Sequence, residues 1–292
     1  MRIAILGKNG QVGQACLQCF ASHELLALGR HDSGGDLTNP SSLIERLEAF
    51  SPDIIINAAA YTAVDRAESD VKAAFDINVI APEAIAKFAK QKGLFFIHLS
   101  TDYVFDGCQE KAYTEDQGSR PLNVYGLSKL EGEKAVLKVN PDAIILRLTW
   151  VHSETHRNFI TSLLHWFKGQ KKISVVDDQI GIPTSANEVA RGLCRIVEYY
   201  EQARPFKRGL YHFASEGACS RYECAQYVKD LLVEKRLISE DFTIQNVKSD
   251  QFFLPARRPT RAILEHSKFD TTFNFVSQHW QVGVKETVVQ SI

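Results

Sequence analysis

The 292-residue sequence predicts an α/β protein: a doubly wound parallel sheet of Rossmann type, with a smaller α/β substrate lobe attached. Three observations carry that expectation. Short, nearly all-apolar runs alternate with longer amphipathic stretches through the first half of the chain. A glycine-rich turn separates the first apolar run from the first amphipathic stretch. Runs this apolar require burial on both faces, which a parallel sheet sandwiched by helices provides.

In order along the chain, "RIAIL" (2–6) reads as a strand and 10–21 as the helix after the glycine turn. "ELLAL" (24–28) is the second strand, and 40–50 a helix with Pro40 at its start, where a fixed φ suits the first turn. "DIIIN" (53–57) is the third strand. Helical patterning follows over 64–93, with a break or bend expected near Pro82. "LFFIHLS" (94–100) is the fourth strand, and "AIILRL" (143–148) the fifth, after a helix carrying Tyr125 and Lys129. Right-handed crossovers wind these units into one sheet.

Beyond residue 150 the pattern loosens. Helices are expected over 158–170, 185–202 and 220–236, the last capped by Ser220, with a strand over 209–215. "FFLPARRPTR" (252–261) is irregular and basic. The expected division is a dinucleotide-binding domain over 1–150 and a mainly substrate-binding lobe over 151–292. Part of 166–205 is expected to return to the first domain, since no Gly/Ser linker separates the two.

Composition excludes several classes. A net charge of −1 gives no electrostatic reason to bind nucleic acid or an anionic membrane. No apolar run reaches bilayer length, and "MRIAILGKNGQVG" enters a glycine turn where a signal peptide would have a cleavage site. A cytoplasmic protein with its six cysteines reduced is expected, Cys16 and Cys19 packing on a helix. His152 and His156 have metal-like spacing but no third ligand nearby, so no metal is expected.

Gly7, Gly10 and Gly13, with Asn9, Gln11 and Val12 between them, form a turn that lets backbone approach a pyrophosphate at a helix N-terminus. An NAD site usually carries an acidic residue about 20 residues further on. Here Arg30 occupies that place, and its planar guanidinium suits a 2′-phosphate. NADPH is therefore the expected cofactor, with NADH possible. Asp36 and the adjoining Leu37 are expected at the adenine edge. Ala58, Ala59 and Ala60 leave room at the end of the third strand, while Ser100 and Thr101 bring hydroxyls to the same edge. Tyr125 and Lys129, spaced i and i+4, share a helix face. A lysine about 4 Å from the phenol, at an effective dielectric near 20, would contribute roughly 4 kcal/mol toward phenolate. That would bring Tyr125 near the operating pH as a general acid.

A strand-end hydroxyl, a tyrosine and a lysine above a glycine turn resemble the short-chain dehydrogenase/reductase family. "GKNGQVG", "PDIIINAAAYTAVDRAESD", "STDYVFDG", "PLNVYGLSKLEGEKAV", "RLTWVH", "DDQIGIPTSA", "GLYHFAS", "PARRP" and "WQVGVKE" narrow this, over nearly the whole chain, to a resemblance to the dTDP-4-dehydrorhamnose reductase family. The resemblance implies reduction of the C4 ketone of dTDP-4-dehydro-L-rhamnose with NADPH or NADH, giving dTDP-L-rhamnose for cell-surface polysaccharide. It also implies that Thr101, Tyr125 and Lys129 are catalytic. Asp102, Tyr103 and Trp150 would line the sugar pocket, and Arg257, with Arg258 as alternate, would meet the nucleotide diphosphate. Asn158 and Gln179 also match family positions. Two departures stand out. "TRAIL" (260–264) replaces the family's usual Asn-Ser-Arg-Leu, and Ala15 and Asn187 occupy places where members bind Mg²⁺ at a dimer interface. A monomer or homodimer without a bridging metal is expected, and a related nucleotide sugar is an alternative substrate. A dehydratase would carry Asp-Glu after Thr101, and an epimerase would retain NAD, which Arg30 opposes. The regulatory β subunit of methionine adenosyltransferase is similar to this family, and a non-catalytic role of that kind is the alternative from another class.

Overall fold

The computed structural model describes residues 1–169, 171–202 and 206–292. The first half runs β1 (Arg2–Leu6), α1 (Gln11–Cys19), β2 (Glu24–Leu28), α2 (Pro40–Phe50), β3 (Ile54–Asn57), α3 (Val64–Ala67), α4 (Val71–Phe75), α5 (Ala81–Lys92), β4 (Phe95–Thr101), α6 (Val124–Val139) and β5 (Ile144–Leu148). The second half runs β6 (Val151–His152), α7 (Phe159–Gly169), β7 (Lys172–Val176), β8 (Ile180–Gly181), β9 (Thr184–Ser185) and α8 (Ala186–Gln202). It continues with β10 (Gly209–Phe213), β11 (Cys219–Ser220), α9 (Arg221–Glu234), β12 (Thr243–Val247), α10 (Ser267–Phe273) and α11 (Trp280–Ser291). The expected end of the seventh helix at Gln170, and the tail of the 166–205 segment at 203–205, lie outside the described residues.

The apolar runs form one parallel sheet in the order β10-β5-β4-β3-β1-β2. The order reverses at β1, with β2 on one side and β3 on the other, which opens a crevice at their carboxyl ends. Ile3, Ile5, Ile54, Ile56, Ile97 and Leu146 pack on one face against α1 and α8. Ala4, Ile55, Phe96 and Ile145 pack on the other against α2, α5 and α6. Each of these isoleucine, leucine and phenylalanine side chains contributes roughly 1.5–3 kcal/mol on burial.

Four expectations are corrected. β2 is an edge strand, so its side chains are exposed or half-buried and not enclosed on both faces. β10, expected in the second lobe, is the outer strand of the main sheet and pairs with β5. The helix expected over 64–93 is interrupted at 68–70, between α3 and α4, and near Pro82 it is distorted into a π turn at Asp76–Ile80 without ending. Proline cannot donate to the carbonyl four residues back and its ring crowds it, so the helix widens upstream. The cysteines are not all free thiols: α1 and α8 pack together, and a disulfide joins Cys19 to Cys194, 175 residues apart. Cys16 remains a free thiol, its pKa pushed up to about 12 by burial.

The second lobe has its own core from α7, α9 and α11 over the parallel pair β7 and β12. Its α9 starts with a complete capping box, Ser220 to Glu223. No helix among the described residues is long and apolar enough to cross a membrane.

His266, at the start of α10, meets Asp270 one turn on (2.9 Å) and Glu216 beyond the end of β10 (3.6 Å). Burial disfavours the charged ring. The hydrogen bond to Asp270 and the charges of Asp270, Glu216 and Glu265 outweigh it and raise its pKa. A raised histidine stabilises fully below its unfolded value of about 6.5, and that stabilisation is lost as pH rises through the folded value. The unfolding free-energy difference between wild type and His266→Gln should therefore shrink as pH rises above about 6.5. A difference constant over that rise would show that the ring is neutral in the fold.

Candidate active site

At the end of β1 the chain turns through Gly7, whose φ of +87° is left-handed. A Cβ on Gly13 would fall 2.1 Å from the Gly7 carbonyl oxygen, so turn and helix are in direct contact. Gly10 caps α1 without a side-chain acceptor, leaving first-turn N–H groups directed at the cavity beyond. That uncapped, positive helix end fits a diphosphate.

The cavity measures about 720 Å³ and runs along the carboxyl edge of the sheet. Of the residues expected around a dinucleotide, Gly7, Asn9, Gly10, Gln11, Val12, Arg30, Asp36, Leu37, Ala58, Ala59 and Ala60 line it, while Gly13 lies behind the turn. Arg30 is largely exposed, 4.0 Å from Asp36, and its guanidinium is open to an anion. Asn158 donates to Gln11 and to the Ser153 and His156 carbonyls, fastening the 153–158 loop to the glycine turn. His156 reaches the Asn9 carbonyl, whereas His152 faces Thr287 and is held neutral by burial, so the two rings share no metal site.

Thr101, Asp102, Tyr103, Tyr125, Lys129 and Trp150 line the other end of the same cavity. Asn123 accepts from Gly126 N–H at 2.8 Å and Glu68 from Val124 N–H at 2.8 Å, which fixes where α6 begins and brings Tyr125 into its first turn. Thr101 donates to Asp102 (3.0 Å), and Thr149 donates to its other oxygen (2.8 Å). Burial lifts the Asp102 pKa to about 6 against those bonds and against the Arg221 charge. Burial also raises the Tyr125 phenol; Thr101 opposes the rise and Asp102 and Tyr103 add to it.

The expected tuning of Tyr125 by Lys129 is corrected. Lys129 Nζ donates to the Leu99 carbonyl at 2.7 Å and lies 3.4 Å from His98 Nε2, so its ammonium is engaged by β4. The helix brings both residues to one face, but the flexible lysine stem carries its ammonium down to β4. Burial lowers the Lys129 pKa to about 8, with Glu133 opposing. His98 is kept neutral by burial and by Lys129.

Trp150 has a φ of 38°, an unusual value for a bulky side chain. Its indole rests against Gly181, where a Cβ would fall 2.4 Å from ring atom Cε2. Gly181→Ala should displace the indole and lower kcat/KM about 10²-fold while NADPH affinity is unchanged. Unchanged kinetics would show that the indole does not position substrate.

The basic loop is arranged differently from expectation. Arg258 pairs bidentately with Asp65 (2.6 and 3.0 Å). Arg257 is exposed and outside the cavity lining, its carbonyl accepting from Asn123, because these contacts pin the loop by its backbone. Gln179 donates to Ser249 and its carbonyl accepts from Arg221 N–H, so it places the start of α9. Sequence reasoning missed Arg221, which lines the cavity, and read His156 only as a possible ligand. Ser220 marked where α9 begins but nothing marked which cavity its first residue would enter.

The family model described as RmlD substrate binding domain matches residues 1–292. The chain is 36% identical over 290 residues to a dTDP-4-dehydrorhamnose reductase of Sinorhizobium fredii, covering 99% of this chain and 97% of that protein. It superposes with a TM-score of 0.90 on the dTDP-4-dehydrorhamnose reductase of Clostridium acetobutylicum, at 30% identity over 99% of each chain. The corresponding enzyme of Bacillus anthracis, solved in complex with NADP, gives 0.89 at 28% identity over 99% of each chain. The glycine turn, the Tyr125 helix and the second lobe all fall inside these matches, and the chain belongs to the RmlD, or dTDP-4-dehydrorhamnose reductase, family of oxidoreductases.

Proposed function

We propose that the chain reduces the C4 ketone of dTDP-4-dehydro-L-rhamnose with NADPH in the cytoplasm, giving dTDP-L-rhamnose for cell-surface polysaccharide. The observation that carries this reading is that Thr101, Tyr125 and Lys129 line one cavity with the uncapped N-terminus of α1 and Arg30. Residues 1–150, with α8 and β10, would hold the cofactor, and the rest of 151–292 the sugar nucleotide. NADPH, when bound, supplies hydride, and NADH would serve less well.

The residues divide the remaining work. Tyr125, kept protonated by its burial, gives its proton to the oxygen that develops charge at C4. Thr101 has a single proton, directed at Asp102 in this structure, and turns it toward the ketone oxygen to orient it. Lys129, held by Leu99 O, supplies positive charge beneath the nicotinamide ribose. Trp150 closes one wall and excludes water.

The test is NADPH consumption with dTDP-4-dehydro-L-rhamnose, using dTDP-glucose, which has no ketone, as control. Turnover with the first alone supports the reading. A protein that binds NADPH and turns over neither contradicts it. Arg30→Ala should weaken NADPH about 10- to 100-fold, the value of charge-assisted hydrogen bonds to a phosphate, and leave NADH unchanged. Equal loss for both cofactors would show that Arg30 does not read the 2′-phosphate.

A further inference from the structure

Arg221, the first residue of α9, places a guanidinium in the cavity against two aromatic rings. It lies 3.6 Å from the centroid of the Trp150 ring and 4.6 Å from that of Phe159. Among the described residues no carboxylate comes within ion-pairing distance of it, and its side chain has no hydrogen-bond acceptor. The carboxylate that feels its charge, Asp102, already accepts from Thr101 and Thr149. The other cations are placed differently: Lys129 is bound to Leu99 O, Arg30 lies beside Asp36, and Arg157 is exposed at the rim. Arg221 is half-buried, so its charge is only partly hydrated and has no counter-charge, and aromatic faces offset only part of that cost. An anionic ligand group would complete it, and the planar fork matches phosphate oxygens bidentately. In the reading given above, the N-terminus of α1 takes the cofactor's diphosphate, which leaves Arg221 for a second anionic group.

We propose that Arg221 binds the diphosphate of the nucleotide sugar, the part first expected for Arg257, with Trp150 and Phe159 fixing the plane of its guanidinium. This rests on the nucleotide-sugar reading given above. The experiment is calorimetric titration of the NADP-loaded full-length protein with dTDP, UDP and thymidine, for wild type, Arg221→Gln and Arg221→Lys. The expected result is a roughly 10- to 100-fold loss of dTDP affinity in Arg221→Gln, the scale of a lost charged hydrogen-bonding pair, with NADP affinity unchanged. Arg221→Lys, which keeps the charge but not the fork, should fall between. Equal dTDP affinity in all three proteins overturns the proposal, as does failure of wild type to bind dTDP or UDP. A parallel loss of thymidine binding also overturns it, since that would report collapse of the Trp150 wall. If dTDP binds through Arg221 but the keto-sugar is not reduced, the sugar assignment fails and the diphosphate site stands.

Discussion

Tyr125→Phe should lower kcat for ketone reduction by about 10²- to 10⁴-fold, the usual contribution of a positioned general acid. NADPH affinity should hold within about twofold, because the substitution removes one hydroxyl and keeps the ring. The ring is buried and packs edge-on against Tyr103 at 5.5 Å, a contact that phenylalanine preserves. KM should change little, since the proton is needed only as charge develops on oxygen. The direction of the phenol's shift adds a pH expectation. With burial, Asp102 and Tyr103 all favouring the neutral form, Tyr125 stays protonated through neutral pH, and Asp102, lifted to about 6 by burial, is the cavity carboxyl that changes charge near that pH. A Tyr125→Phe enzyme that kept kcat within a small factor of wild type would move proton donation to another group.

Arg147→Met should destabilise the fold by about 3–5 kcal/mol, the cost of leaving a buried charge without its partner. Arg147 lies in the otherwise apolar β5, and its guanidinium meets Glu133 of α6 through two bonds of 2.9 and 2.6 Å. The two side chains are 3% and 4% exposed, so solvent cannot replace either one. The Ser100 hydroxyl also donates to Glu133, which joins β4, β5 and α6 at one point beneath the cavity. Replacing both partners, Arg147→Met with Glu133→Leu, should restore much of the loss, because no unpaired charge then remains. Urea unfolding of the three variants measures this. A single-variant loss below about 1 kcal/mol would show that water reaches the pair.

The elements that position the site were legible wherever a local rule governs them. The glycine turn, the apolar strands and the capped α9 depend on backbone conformation and neighbouring residues, and they form where the sequence places them. What was not legible depends on contacts distant in the chain. β10 joins the main sheet because it finds β5, and nothing in "GLYHFAS" names its partner. Arg147 interrupts an apolar run without breaking the strand because Glu133 receives it. Cys19 meets Cys194 because α1 and α8 lie on the same face of the sheet. The i, i+4 spacing of Tyr125 and Lys129 correctly implied a shared face. It could not specify where a flexible lysine directs its ammonium, and the Leu99 carbonyl decides that. Arg257 and Arg221 differ in the same way: both are plain arginines in sequence, and only the packing of α9 against Trp150 brings one of them into the cavity.

The most direct measurement is the fate of the transferred hydrogen. The protein is incubated with NADPH carrying deuterium at the transferable position and with dTDP-4-dehydro-L-rhamnose, and the product sugar is examined by NMR and mass spectrometry. The expected result is one deuterium at C4 of dTDP-L-rhamnose, formed by wild type and nearly abolished in Tyr125→Phe. Deuterium at any other carbon, or product formed without deuterium, would contradict the account.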